Sequence, residues 1–247
     1  MISKNQIKLV RSLEQKKQRQ RQNAFVAEGP KVVGDLLAAG FRPMQLFATE
    51  EWTVAGHGVQ PDVIVTPDEL GRISFLQHPQ QVLAVFPIPS HPLPSPAAGK
   101  LIIALDGIQD PGNLGTIIRI ADWYGIDDIV CSVDTVDAWN PKVVQATMGS
   151  IARVRVTYTP LPDFLRQSPL PVCGTLLDGE NIYAQQLPQQ AIIIMGNEGN
   201  GISPEVRPLI TRKLLIPQLR PGAESLNVAI ATAITCSEFL RKTALNI

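Results

Sequence analysis

The chain has 247 residues, 45% of them hydrophobic and 18% charged, which suits one large or two small globular domains and excludes disordered and fibrous classes. Lysine plus arginine and aspartate plus glutamate both number 22, so net charge names no partner. No apolar run reaches the roughly 20 residues of a membrane helix, and the charged N-terminal stretch lacks a signal peptide's apolar core, so a cytoplasmic, non-membrane protein is expected.

Charge is uneven along the chain. Residues 1–24 read as a basic helix over 3–20 and carry Lys4, Lys8, Arg11, Lys16, Lys17, Arg19 and Arg21 against Glu14 alone. Such an arm fits a polyanion partner as well as it fits a solvated helix face. A short strand over 24–29 follows. Pro30 then opens an apolar helix over 31–39, which Gly40 closes. Strands are predicted over 44–48, 63–66 and 82–86, with a helix from Pro67 to Ile73, so residues 1–90 read as a small α/β domain. Pro87, Pro89, Pro92, Pro94 and Pro96 make 87–98 a semi-rigid spacer.

Beyond the spacer, residues 99–247 read as a second α/β domain. Apolar runs at 101–105, 128–131, 154–156, 172–177, 191–195 and 213–216 are continuous rather than alternating. That pattern belongs to strands covered on both faces, hence to a mostly parallel sheet. Ligands of such sheets sit at the carboxyl ends of strands, which directs attention to the loops after Leu105, Leu177, Met195 and Ile216. Cys131, Cys173 and Cys236 have no metal or redox spacing, and with only His57, His78 and His91 beside them no metal site is expected. They read as core filler in a reducing compartment.

Three of these loops are chemically distinctive. In Leu105-Asp-Gly-Ile-Gln-Asp-Pro-Gly-Asn-Leu-Gly-Thr-Ile-Ile-Arg119, Asp110 and Pro111 suit a helix start. Leu114, Ile117, Ile118 and Ala121 form its buried stripe, and at about 100° per residue Arg119 projects opposite. Met195-Gly-Asn-Glu-Gly-Asn-Gly-Ile-Ser203 has glycines at 196, 199 and 201. Their order is reversed from a dinucleotide fingerprint, and no Gly-Lys-Ser/Thr follows for a phosphate loop. Glu198 within it would repel phosphate but suits a hydroxyl or a cation. In the third loop, Ile216 and Pro217 lead through a Pro/Gly turn to Ser225, Leu226 and Asn227, where a small-residue helix begins. Each loop alone is better explained by turns, helix caps and solvated helix charges.

Together, in this order and spacing, the three segments resemble the signature of the SpoU (TrmH) class of RNA ribose 2′-O-methyltransferases. The resemblance covers essentially all of 100–247; Asn140-Pro-Lys-Val-Val and Ala146-Thr-Met-Gly149 match a further segment of that class. Phe25-Val-Ala-Glu-Gly-Pro-Lys-Val-Val resembles more loosely its ribosomal-protein-like substrate module. The resemblance implies an α/β sheet closed by a deep trefoil knot, although chain-threading rules argue against knots in general. It also implies a homodimer and S-adenosylmethionine bent into a pocket of the second and third loops. Gly196, Ile216 and Leu226 would line that pocket through backbone groups, with Thr175 and Leu176 near, and Asn197, Gly199, Gly201 and Pro217 completing it. By the same resemblance Arg119 handles the ribose hydroxyl, while Asn113, Glu198, Ser225 and Asn227 shape the site. Arginine is permanently charged and a poor base, so Arg119 has two open roles, phosphate clamp or strongly perturbed base. The first domain and its basic arm would bind RNA, ribosomal rather than transfer RNA. Two other classes compete: a non-catalytic RNA-binding or ribosome-assembly protein of the same fold, and an unrelated nucleotide-dependent α/β enzyme. The first is disfavoured by the presence of every polar signature residue, the second by the absence of a phosphate fingerprint.

Overall fold

The computed structural model describes residues 1–55, 58–95, 100–220, 222 and 225–244. One unit comprises residues 1–90 and 137–153, the other residues 91–136 and 154–247. Residues 96–98 of the expected spacer lie outside the described residues.

At the N-terminus, α1 (Lys4–Ser12) starts in a capping box: Ser3 Oγ accepts from Gln6 N at 3.2 Å, and the Gln6 side chain accepts from Ser3 N at 2.9 Å. The single basic helix expected over 3–20 ends there, and α2 (Lys16–Gln22) starts afresh. Arg19 holds the break, donating to Leu13 O at 2.8 Å and Glu14 O at 2.7 Å, carbonyls that a continuous helix would have satisfied internally. Then come β1 (Ala24–Glu28), α3 (Pro30–Ala38), β2 (Gln45–Ala48), α4 (Glu50–Val54), β3 (Val63–Ile64), α5 (Pro67–Ile73) and β4 (Val82–Pro87). The four strands form a sheet in the order β1-β4-β2-β3, antiparallel except for β2 with β3. The five-residue α4 is too short to leave a helical period in the sequence; Thr49 and the first-turn acids Glu50 and Glu51 are its trace.

The second unit begins with β5 (Leu101–Asp106), α6 (Pro111–Trp123) and β6 (Asp128–Cys131). The chain then leaves it for an excursion, 137–153, containing α7 (Pro141–Ala146). Expected within the 99–247 domain, this segment groups instead with the first unit, for identifiable reasons. Trp139 packs on Phe25 with ring centroids 4.6 Å apart, Asp137 pairs with Arg19, and Arg153 lies 3.4 Å from Asp35. Gly149 has φ +95°, and its Cα faces Asp35 so closely that a side chain there would collide with the carboxylate.

Back in the second unit are β7 (Arg155–Tyr158), α8 (Leu161–Arg166), β8 (Val172–Asn181), β9 (Ala191–Gly196), β10 (Arg212–Leu215) and α9 (Val228–Ala244). Six strands, all parallel, run in the order β10-β8-β9-β5-β6-β7. Every residue of β5 is buried, and Ile102, Ala104, Ile192 and Ile194 join Phe164 and Leu165 of α8 in one core, as the continuous apolar runs require. β8 runs on to Asn181 where a loop after Leu177 was expected. Its pairing with β10 shifts register between Lys213 and Leu214, and Gly179 crosses the Leu214 backbone too closely for any Cβ.

Candidate active site

The first loop follows β5. Asp110 Oδ1 accepts from Asn113 N at 2.8 Å and so caps α6, with Pro111 as its first residue. Leu114, Gly115, Ile117, Ile118 and Ala121 are buried. Arg119 is exposed and makes no hydrogen bond or ion pair with the described residues.

The second loop is a tight hairpin closed by Asn197 N to Gly201 O and Gly201 N to Asn197 O, both 2.9 Å. The Asn197 side chain is fully spent on structure: Nδ2 donates to Gly107 O at 2.7 Å, and Oδ1 accepts from Gly199 N and Asn200 N, each at 2.9 Å. Gly196 lies so near the returning strand that a Cβ would sit 2.5 Å from Ile202 N. A second anchor escaped the sequence reading. Asp106, buried at the carboxyl end of β5, accepts from Ser203 N at 2.7 Å and ties the far side of the hairpin to the sheet. Its trace in the sequence is a carboxylate ending a wholly apolar strand.

The third loop supplies Asn227, which caps α9 by accepting from Ala229 N at 2.9 Å and Ile230 N at 3.3 Å. The helix therefore starts at Val228, after Asn227 rather than near Ser225. Asn227 Nδ2 donates to Asn113 Oδ1 at 2.9 Å, and Asn113 Nδ2 donates to Glu198 Oε1 at 2.8 Å. Three residues from three loops, separated by 114 and 85 positions, thus form one hydrogen-bonded chain. Arg119 and Ser225 make no hydrogen bond to it.

A cavity of about 710 Å³ opens at the carboxyl ends of β8, β9 and β10, a size suited to a small-molecule ligand. Thr175, Leu176, Gly196, Asn197, Gly199, Gly201, Ile216 and Leu226 line it, as do Glu198 and Ser225. Pro217 is not among the lining residues. Asp178 and Arg207 add charge to the wall: Arg207 donates to Asp178 Oδ1 at 2.8 Å and Lys213 to Oδ2 at 2.9 Å. These two hydrogen bonds, that from Lys213 foremost, hold the Asp178 carboxyl below its usual range.

All three cysteines are buried, and burial pushes Cys173 up to about 11 and Cys236 to about 12, so neither is a thiolate near neutral pH. Of the cations expected to meet RNA, Lys4, Lys8, Lys16, Lys17 and Arg21 are exposed. Arg11 is exposed but partly committed: it donates to Ser74 O at 2.6 Å and lies over the Phe75 ring at 4.8 Å. Arg19 departs from the expectation. It is 1% exposed and bonded at 2.9 Å to Asp137, so no surface remains for a phosphate.

Residues 100–237 match the SpoU rRNA Methylase family and residues 4–84 the MRM3-like substrate binding domain. The 23S rRNA (guanosine(2553)-2′-O)-methyltransferase RlmP of Bacillus subtilis (strain 168) is 33% identical, over 94% of this chain and 95% of that protein. A structure of a TrmH-family protein from Porphyromonas gingivalis is 44% identical, with TM-score 0.89 over 98% of this chain and 99% of that one. An AdoMet-bound rRNA methyltransferase from Sinorhizobium meliloti is 33% identical, with TM-score 0.87 over 98% and 97% of the two chains.

Proposed function

The chain belongs to the SpoU rRNA methylase family, and from that membership we infer that it is an S-adenosylmethionine-dependent RNA 2′-O-ribose methyltransferase acting on ribosomal RNA. The observation that carries this reading is the hydrogen-bonded chain of Asn113, Glu198 and Asn227, whose Glu198 lines a ligand-sized cavity.

The cavity fits the cofactor. Its wall combines apolar side chains and loop backbone with a few polar groups, Gly196 is kept bare by the Ile202 backbone, and such a lining holds an adenosine without a phosphate-binding loop. When bound, S-adenosylmethionine supplies an electrophilic methyl group. Thr175, Leu176, Gly196, Ile216 and Leu226 would hold it. Asn197 and Asp106 fix the hairpin that forms its wall. Arg119, unpaired among the described residues, is free to engage the RNA beside the reacting ribose. The work left to the protein is alignment and management of the hydroxyl proton.

The first unit would bind RNA through Lys4, Lys8, Lys16, Lys17 and Arg21, with phosphate contacts and shape rather than base reading. The expected knot accords with the topology: β10 lies outside β8, while α9 after it packs on α6 and β9. The homodimer is supported by Trp123 and Ile230, 85% and 52% exposed on the mutually packed helices α6 and α9. A cytoplasmic location accords with ribosomal RNA as substrate and with cysteines kept free.

The test is incubation with radiolabelled S-adenosylmethionine and unmodified ribosomal and transfer RNA, followed by alkaline digestion, which a 2′-O-methyl group resists. Label in alkali-resistant dinucleotides of ribosomal RNA is expected. Arg119→Ala should abolish transfer while S-adenosylmethionine affinity stays within a few fold; loss of both together overturns this division of roles.

A further inference from the structure

We propose that the first unit holds a slot for one unstacked RNA base, built from the segment after α5 together with α7, and that cations of α1 and α7 hold the phosphates beside it. The proposal rests on the reading of the first unit as the RNA-binding part and names where on it a nucleotide is captured.

A cavity of about 300 Å³ lies within the first unit, lined by residues of β1, of the segment after α5 and of α7. That volume is at the lower end for small-ligand pockets and suits a single flat heterocycle. Partly buried Phe75, Leu76, Pro141 and Ala146 give it apolar walls, and every base has an apolar face that such walls receive.

Two polar groups stand among these walls. Glu28 is 6% exposed, and its carboxyl is fixed by Ser74 Oγ and by Phe75 N, which donates to Oε1 at 2.9 Å. Oε1 has capacity for one more hydrogen bond, whichever form the carboxyl takes. Gln145 also lines the slot, and its side chain makes no hydrogen bond with the described residues. Its amide offers donors and an acceptor, the groups that the edge of an unstacked base requires.

The charges around the slot complement a polyanion. Lys4, Lys8 and Arg11, spaced four and three residues apart, share one face of α1. Arg11, the last of them, lies over the Phe75 ring at 4.8 Å and donates to Ser74 O at 2.6 Å, so this cationic face ends at the wall of the slot. Lys142 of α7 lines the slot, is exposed and has no ion pair among the described residues. A phosphate inside would meet Glu28 and apolar groups, whereas a phosphate outside meets these cations. The RNA backbone therefore follows the cations while the base enters the slot. The larger cavity of this unit, about 1180 Å³, is lined by Glu50, Glu51 and Glu69 with no lysine or arginine, and disfavours the same backbone. Pro141, Lys142, Gln145 and Ala146 all come from the excursion 137–153, so the slot exists only where the two stretches of the first unit meet.

The experiment measures binding of unmodified ribosomal RNA to the full chain by filter retention across a salt series, for wild type, Ala146→Leu and Lys142→Ala. Urea unfolding of each variant is recorded alongside. In parallel, wild-type protein is cross-linked to the RNA by short-wave ultraviolet light and the linked peptides are mapped. Ala146→Leu fills the slot without changing charge; its Kd should rise by roughly 5- to 100-fold, the range for one stacked base, with the salt slope unchanged. Lys142→Ala should lower the salt slope by about one phosphate contact. Cross-links should fall on Phe75, Leu76 or Gln145, a result that does not depend on how any variant folds. A folded Ala146→Leu variant that binds as wild type does overturns the proposal, as do cross-links confined to α1 and α2. Wild-type protein that binds no ribosomal RNA overturns the underlying reading, and the proposal with it.

Discussion

The carboxyl edge of the six-stranded sheet and the basic helices of the first unit gather polar residues in opposite ways. At the sheet edge, Asn113, Glu198 and Asn227 come from distant parts of the sequence and end in one hydrogen-bonded chain. In α1 and α2, cations adjacent in sequence part company: Lys16 and Lys17 face solvent while Arg19 turns into the core. Proximity along a helix is a poor guide to shared purpose, because successive residues point about 100° apart. Convergence across a sheet edge is a better one, because many separate loops must agree to produce it.

The sharpest way to test the contrast is to replace neighbours in the basic helices. Arg19→Ala leaves Asp137 half-buried without its partner and uncaps the Leu13 and Glu14 carbonyls; unfolding free energy should fall by about 3–5 kcal/mol in urea titrations. Lys17→Ala should change stability by under about 0.5 kcal/mol yet reduce the salt dependence of RNA binding by about one phosphate contact. Equal effects of the two would erase the distinction.

At the sheet edge, Asp106→Ala deprives Ser203 N of its acceptor and loosens the hairpin carrying Glu198. The cost should be about 1–3 kcal/mol, read as S-adenosylmethionine affinity weakened by roughly 5- to 100-fold, with Asp106→Asn restoring most of it through its remaining oxygen. Unchanged affinity in the alanine variant would show that the hairpin holds its shape without this tether.

The smallest effect concerns Glu28, which accepts from Ser74 Oγ and from Phe75 N at 2.9 Å. Burial raises its carboxyl above the usual 4.5, against the pull of those hydrogen bonds and of Arg11. The folded chain therefore keeps a proton that the unfolded chain has lost, so the stability Glu28 contributes is full below 4.5 and declines as pH rises through the raised value. Glu28→Gln should remove that decline: its unfolding free energy should gain on the wild type as pH increases through this window. A difference independent of pH would refute the linkage.

Much of this was legible from sequence. The strands of the parallel sheet stood out because burial on both faces demands unbroken apolar runs, and 101–105 and 191–195 have them. Gly40, Pro30 and Pro111 marked helix ends through backbone restrictions that hold wherever the chain goes. The site loops were visible through their motifs, but not the bonds among them: nothing local to Asn113 indicates a partner 114 residues away. Arg19 was misread for the same reason, since its partner Asp137 lies 118 residues on. Asn197 lines the cavity as expected of a cofactor loop, but that its side chain reaches the carbonyl of Gly107 in another segment was not legible locally.

The excursion 137–153 has a consequence for how such a protein can be rebuilt. Because the first unit is assembled from two separated stretches of chain, it is not a cassette that a single fusion point can exchange. A chimera that replaced residues 1–90 alone would leave Trp139, Val143 and Val144 presenting apolar surface to whatever arrived, and Asp137 seeking an arginine. Transplanting the first unit between relatives therefore calls for moving both stretches together, and recombination in nature faces the same requirement.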